Sequence, residues 1–285
     1  MMLYRAHPLR AQHGVSLIEL LVGVSIGLMT VAVAIGALMA SRNVTGTVRD
    51  ASQLQQQASH IFRTMGLQLR QAGSLYLRPN DAADINAPVA FEITVSGFDP
   101  KKNTLSGIDN PAANEYKITT GYRNYTESLF SSTTNASQHR DCLGQTGSDT
   151  LIQSRFVLQD TNLMCAGTDT AQPIASNVAN FQVRYLLQTF PNGMGDPQLQ
   201  YVSATTVGTN WANVYGVEVC LVLFGDERID LPAQPADASY PDCPSADGTV
   251  TAVDMRTLTG LRAQRMHKTF RTVFQLRSQG LLTNY

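Results

Sequence analysis

The stretch VSLIELLVGVSIGLMTVAVAIGALMA, Val15 to Ala40, decides how the rest of the chain is read. From Leu20 to Ala40 it holds no charged residue, about the roughly 20 residues that an α-helix needs to cross a bilayer. Gly23, Gly27 and Gly36 do not forbid helix there, because a spanning segment must satisfy its own backbone hydrogen bonds. Ahead of it, residues 1–14 (MMLYRAHPLRAQHG) carry Arg5 and Arg10 and no acid, which predicts a cytoplasmic N-terminus and an exported remainder. A cleaved secretory signal would have a shorter apolar region closed by small residues. A plain signal anchor leaves Glu19 unexplained, since a carboxylate inside an apolar run costs a few kcal/mol to insert and is by default functional or paired.

Beyond Ala40 the pattern turns amphipathic. Val44, Val48, Ala51, Ala58, Phe62, Met65, Leu69 and Ala72 follow steps of four and three, with Leu54 standing in where Gln55 breaks the series. Arg49, Asp50, Gln53, Gln56, Gln57, Arg63 and Arg70 lie between them as a polar face. This spacing predicts one helix over residues 15–73, its first part (15–40) the transmembrane piece and Gly73 its C-terminal cap. At about 1.5 Å per residue such a helix is on the order of 85 Å long.

Gly14-Val15-Ser16-Leu17-Ile18-Glu19-Leu20 resembles the class III signal of type IV pilins and type II secretion pseudopilins. The resemblance implies a leader of residues 1–14, cut between Gly14 and Val15 by a prepilin peptidase, and N-methylation of Val15. The family usually has phenylalanine at that first mature position, and this chain has Val15. Glu19 then becomes the fifth mature residue, one helical turn from the new α-amine, placed to neutralise a neighbouring subunit's amine and set axial register. In low dielectric such a pair is strongly specified, because leaving either partner alone is costly.

Residues 74–285 read as a globular, strand-rich head. Val89, Phe91, Ile93 and Val95 alternate with polar or small residues, as do Phe181, Val183, Tyr185 and Leu187, and Phe270, Phe274 and Leu276. Tyr215, Val217, Val219, Leu221 and Leu223 form the strongest apolar row, the mark of a central strand. The fold class expected is α+β: a pilin-like ladle, the long N-terminal helix packed on an antiparallel β-sheet head. Polar loops are expected over residues 124–150 and 230–247. Gln68-Leu69-Arg70-Gln71-Ala72-Gly73, Asn180-Phe181-Gln182-Val183-Arg184-Tyr185 and Phe274-Gln275-Leu276-Arg277 resemble the PilW family of type IV minor pilins.

That resemblance implies an assembly subunit acting near the pilus tip, in twitching, adhesion or DNA uptake. Its partners would be the prepilin peptidase, other minor pilins, the major pilin, a tip adhesin and the inner membrane. The head would face the periplasm before assembly and the cell surface afterwards. A type II secretion minor pseudopilin shares the signal and the shape; a membrane-anchored periplasmic enzyme or binding protein is the alternative from another class.

The four cysteines, Cys142, Cys165, Cys220 and Cys243, allow three pairings in an exported domain, and near neighbours close the shortest loops as Cys142–Cys165 and Cys220–Cys243. No catalytic motif, cofactor loop or metal-ligand spacing stands out. The histidines are scattered, with His60 on the polar helix face. Asp and Asn cluster at 80–86 and 109–114, and Asp237, Asp242 and Asp247 surround Cys243, none with the spacing of a calcium loop. A net charge of −1 with 15% charged residues and no basic run gives no footprint for nucleic acid.

Overall fold

The computed structural model describes residues 14–78, 90–91, 97–130, 134–147, 150–190 and 196–276. The chain divides into two compact units, Met1–Val48 and Arg49–Tyr285. One helix, α1 (Leu17–Gln71), begins in the first and ends in the second. It stops because Gly73 takes a left-handed φ of 72°, which a Cβ would disfavour. The Gly73 N–H donates to the Gly121 carbonyl at 2.8 Å, so the cap is also a tie to the head.

In the first unit, Leu17–Met39 is the one segment among the described residues long and apolar enough to cross a membrane, with none of it buried. In the second unit the helix buries a narrow stripe: Leu54, Ala58, Ile61, Met65, Leu69 and Ala72. Leu54 replaces Gln55, as the spacing predicts. Ile61 rather than Phe62 fills the stripe; Phe62 is only partly buried, with its ring 6.4 Å from that of Phe274. Gly66 lets the helix approach that ring, since a Cβ there would lie 2.6 Å from Phe274 Cε1.

Two larger antiparallel sheets complete the head. Their strands are β1 (Leu105–Gly107), β2 (Ile118–Arg123), β3 (Leu151–Gln159), β4 (Asn162–Ala166), β5 (Gln172–Ala175), β6 (Val178–Thr189), β7 (Gln198–Val202), β8 (Val214–Arg228) and β9 (Arg265–Gln275). β1 to β5 form a five-stranded sheet in sequence order, and the other has the order β7-β6-β8-β9. The strands expected around 181–187, 215–223 and 270–276 therefore lie side by side, with β8 inside the sheet. None of the strands of the five-stranded sheet was named from the sequence, and the polar loop expected over residues 124–150 falls between β2 and β3. Of the strand expected over 89–95, only Ala90–Phe91 is described, paired with Leu77–Arg78; the remainder lies outside the described residues.

Alternation assigns the faces. Val183, Tyr185, Val217, Val219, Leu221 and Phe274 point inward, joining the helix stripe and Leu105, Ile118, Phe156 and Leu163 of the other sheet in one apolar core. On the opposite face, Cys220 and Val222 are buried under Tyr240, Cys243 and Met255. Those residues belong to the excursion 229–264 between β8 and β9, so β8 is buried on both faces where the excursion crosses it.

Candidate assembly site

The N-terminal turn is built by Ser16. Its Oγ accepts from the Glu19 N–H at 3.3 Å and its carbonyl accepts from the Leu20 N–H at 3.1 Å, making Ser16 the N-cap of α1. Ser16-Leu17-Ile18-Glu19 thus has the spacing of a capping box, with Glu19 in the third helical position. A carboxylate there is also favoured by the positive end of the helix dipole. Gly14 and Val15 precede the helix, and a side chain on Gly14 would meet nothing within 4 Å. The leader expected over residues 1–14 lies, up to residue 13, outside the described residues. Around this turn the apolar side chains are exposed: Val15, Leu17, Ile18, Leu20 and Leu21 all face outward.

A second group of helix residues, not singled out in the sequence, grips the head. Asp50 was placed on the polar face, yet it is 2% exposed, and its Oδ2 accepts from the Glu227 N–H at 3.1 Å. Gly225 makes room for it, since a Cβ at that position would overlap Asp50 Oδ2. Gln53 donates to Asp226 at 3.1 Å and Gln57 to the Ser176 carbonyl at 2.5 Å. Near the other end, buried Gln68 donates to the Arg140 carbonyl at 3.1 Å and accepts from Ser154 Oγ at 3.0 Å. The signal was legible: stepping back four residues from Leu54 lands on Asp50, and Gln68 stands three after Met65 and four before Ala72.

The head's staples follow the near-neighbour pairing, with Cys142 bonded to Cys165 and Cys220 to Cys243. The second bond pins the excursion to β8. His267 closes the same layer, stacked between Tyr240 (5.0 Å) and Phe224 (5.6 Å). Its Nε2 accepts from Arg262 Nε at 3.2 Å, so the neutral ring carries its proton on Nδ1, 2.9 Å from the Arg265 carbonyl. Burial first, and then the neighbouring Arg262 and Arg265, push its pKa down to about 4.

Four further carboxylates hold loops in place. Asp109 accepts from the Ala204 and Thr205 N–H groups at 2.9 and 2.8 Å, and Asp141 accepts from Leu143, Gln145 and Thr168. Asp242 accepts from Asn180 and from the Cys243 N–H, and Asp247 from Ser245 and Thr249. His60 is exposed, and His139 packs against Tyr125 and Tyr122. Among the described residues no cluster of three or more His, Cys, Asp or Glu is arranged to hold a metal ion.

The family model described as type IV pilus-assembly protein W, PilW, matches residues 143–278, from the loop before β3 to just past β9. A type IV-like pilin from Thermus thermophilus aligns with 11% identity and a TM-score of 0.37, covering 78% of this chain and 96% of that one. No curated protein matches the chain. The family match lies wholly in the head, so it is independent of the N-terminal turn.

Proposed function

We propose that the chain, whose residues 143–278 match the PilW family model, is a minor pilin of that family that helps to initiate a type IV pilus near its tip. In this reading a prepilin peptidase cuts between Gly14 and Val15, and the new Val15 amine is methylated. The observation that carries it is the N-terminal turn: a Ser16-capped helix start with Glu19 in its first turn, opening the exposed apolar segment Leu17–Met39.

An apolar surface of that length is costly in water and is stabilised in lipid or against similar helices. Before assembly the helix would sit in the inner membrane with the head in the periplasm. During assembly it would leave lipid for the helices of other minor pilins and the major pilin. Glu19 would then meet the cationic amine of a neighbour. The low dielectric makes a carboxylate without that partner expensive, so the pair selects one axial offset over its alternatives. Twitching, adhesion through a tip adhesin and DNA uptake are the activities such a pilus would serve.

Glu19→Ala tests this directly. The variant is expected to be processed and folded but recovered from sheared pili at least tenfold less than wild type. Equal recovery would remove the amine-pairing role. A Gly14 substitution that blocks processing should abolish recovery altogether, whereas an anchored enzyme or binding protein would keep its function.

A further inference from the structure

The excursion 229–264 is a layer of its own. Its strands Ser239–Pro241 and Ala252–Asp254 pair with each other, and among the described residues neither joins a larger sheet. The Met255 N–H donates to the Ala238 carbonyl at 2.9 Å and the Asp242 N–H to the Thr251 carbonyl at 2.8 Å, so these backbone bonds close within the layer. Among the described residues, none between 229 and 264 enters the apolar core that the helix and the two sheets share. Instead Tyr240, Cys243 and Met255, with Leu231, Val253 and Leu258 partly buried beside them, cover Cys220 and Val222 on the outer face of β8. At the neck, the β8–β9 register breaks between Phe224 and Arg228.

Side chains tie this layer to the rest of the head. Asn180 donates to Asp242 at 2.8 Å, and Thr269 Oγ1 donates to the Pro241 carbonyl. Arg262 donates to His267 of β9 at 3.2 Å and to the Tyr240 hydroxyl at 2.6 Å. The covalent tie is the Cys220–Cys243 bond. Such a segment, with a small apolar patch and its own backbone bonding, can open without the whole domain unfolding. While the bond is intact the layer can lift but not leave, because Cys243 stays tethered to β8, and the tether limits the disorder that the opened segment gains. When the layer is closed, Cys220 is 2% and Cys243 5% exposed, so an attacking thiolate has no path to either sulfur.

We propose that the excursion is a strap that opens while the main core stays folded, and that an exported dithiol–disulfide protein makes or breaks Cys220–Cys243 only in that open state. In the forming direction, the thiolate of one cysteine attacks the partner's disulfide, giving a mixed disulfide and one partner thiol. The thiolate of the second cysteine then attacks the first cysteine's sulfur and displaces the partner's. The chain loses two electrons and two protons, and the partner's disulfide becomes a dithiol. Breaking the bond runs the same steps backwards, with a reduced dithiol as the source of electrons. Closing the strap over β8 then puts the bond out of reach of further exchange. Cys142–Cys165 is not governed by the strap, since Cys165 lies in the main core. The inference needs the head to be exported, and does not need the chain to enter a pilus.

The test uses the full wild-type chain in detergent, with dithiothreitol as the dithiol and mass spectrometry following thiol alkylation and amide hydrogen exchange in parallel. Reduction of Cys220–Cys243 is expected to be slowed, relative to the unfolded chain, by the same factor as exchange at the amides of Asp242 and Met255. That factor is expected to be at least tenfold smaller than the one for the amides of β6. Reduction slowed as much as the β6 amides would mean that the strap does not open by itself. Reduction as fast as in the unfolded chain would mean that the closed layer does not shield the bond. Either result overturns the proposal. Cys220→Ala combined with Cys243→Ala gives a second reading: exchange at Asp242 and Met255 should rise at least tenfold, with β6 unchanged. Unchanged exchange in the strap would show that the bond does not hold it, and loss of protection throughout the head would show that strap and core are one unit; both overturn the proposal.

Discussion

The two halves of α1 are the same helix under opposite rules. Over Leu17–Met39 its apolar side chains are exposed on every side. Past Arg49 the helix is mostly polar, and only a stripe one or two residues wide is apolar, yet that stripe is buried completely. Hydrophobicity alone thus does not mark the helix's contact with the head. The apolar half lacks the amphipathic contrast that a folded head requires, and its exposure is what a membrane or a bundle of like helices would use.

The contrast can be broken most forcefully at Ile61. Ile61→Ala should cost the head about 2–5 kcal/mol, read as a lower denaturation midpoint, because it leaves a cavity in a dry core. Leu28→Ala, the matching deletion in the first half, should change head stability by less than about 0.5 kcal/mol. Equal losses would mean that the apolar half contributes to the head's fold.

The clasp at Asp50 sharpens the boundary between the halves. Asp50→Ala leaves the Glu227 N–H without its acceptor and should cost about 1–3 kcal/mol. Gly225→Ala should cost a similar amount by crowding that carboxylate. The two changes share one contact, so Gly225→Ala should be milder in the Asp50→Ala background. Additive losses in a double-mutant cycle would show that the clasp is not a unit.

Acid probes the excursion layer. The unfolded chain takes up a proton at His267 near its ordinary pKa of about 6.5, whereas the folded chain resists until about 4. Stability is therefore expected to fall as pH drops from about 6.5 to about 4, by up to about 3 kcal/mol, with no further loss from this group below that. His139, also pushed down mainly by burial, acts in the same direction. His267→Gln should flatten the slope of stability against pH in that window but not remove it. An unchanged slope would mean that the ring is not held neutral.

How much of this was legible follows from periodicity. The apolar run, the Gly73 cap and the strands around Val183, Val219 and Phe274 were readable because each repeats its pattern over many residues. The five-stranded sheet was not. In β2, Thr119, Thr120 and Gly121 interrupt the alternation, and in β3 polar Gln153, Ser154 and Arg155 mask Ile152 and Phe156. Asp50 was misplaced on the polar face, and Gln68 given no face, for another reason: each sits at a buried helical spacing, and only a partner distant in sequence makes burying its polar group tolerable. The cysteine pairing was readable from loop length alone. Glu19 stood out because nothing in an ordinary anchor accounts for it.

The measurement that bears most directly on the central claim is the mass of the protein's N-terminal peptide, taken from membranes of the native cell. A chain that begins at Val15 with one added methyl group, keeping Leu17–Met39 intact, is the result expected. A chain that still begins at Met1, or one cut beyond the apolar run so that Glu19 is lost, would contradict it.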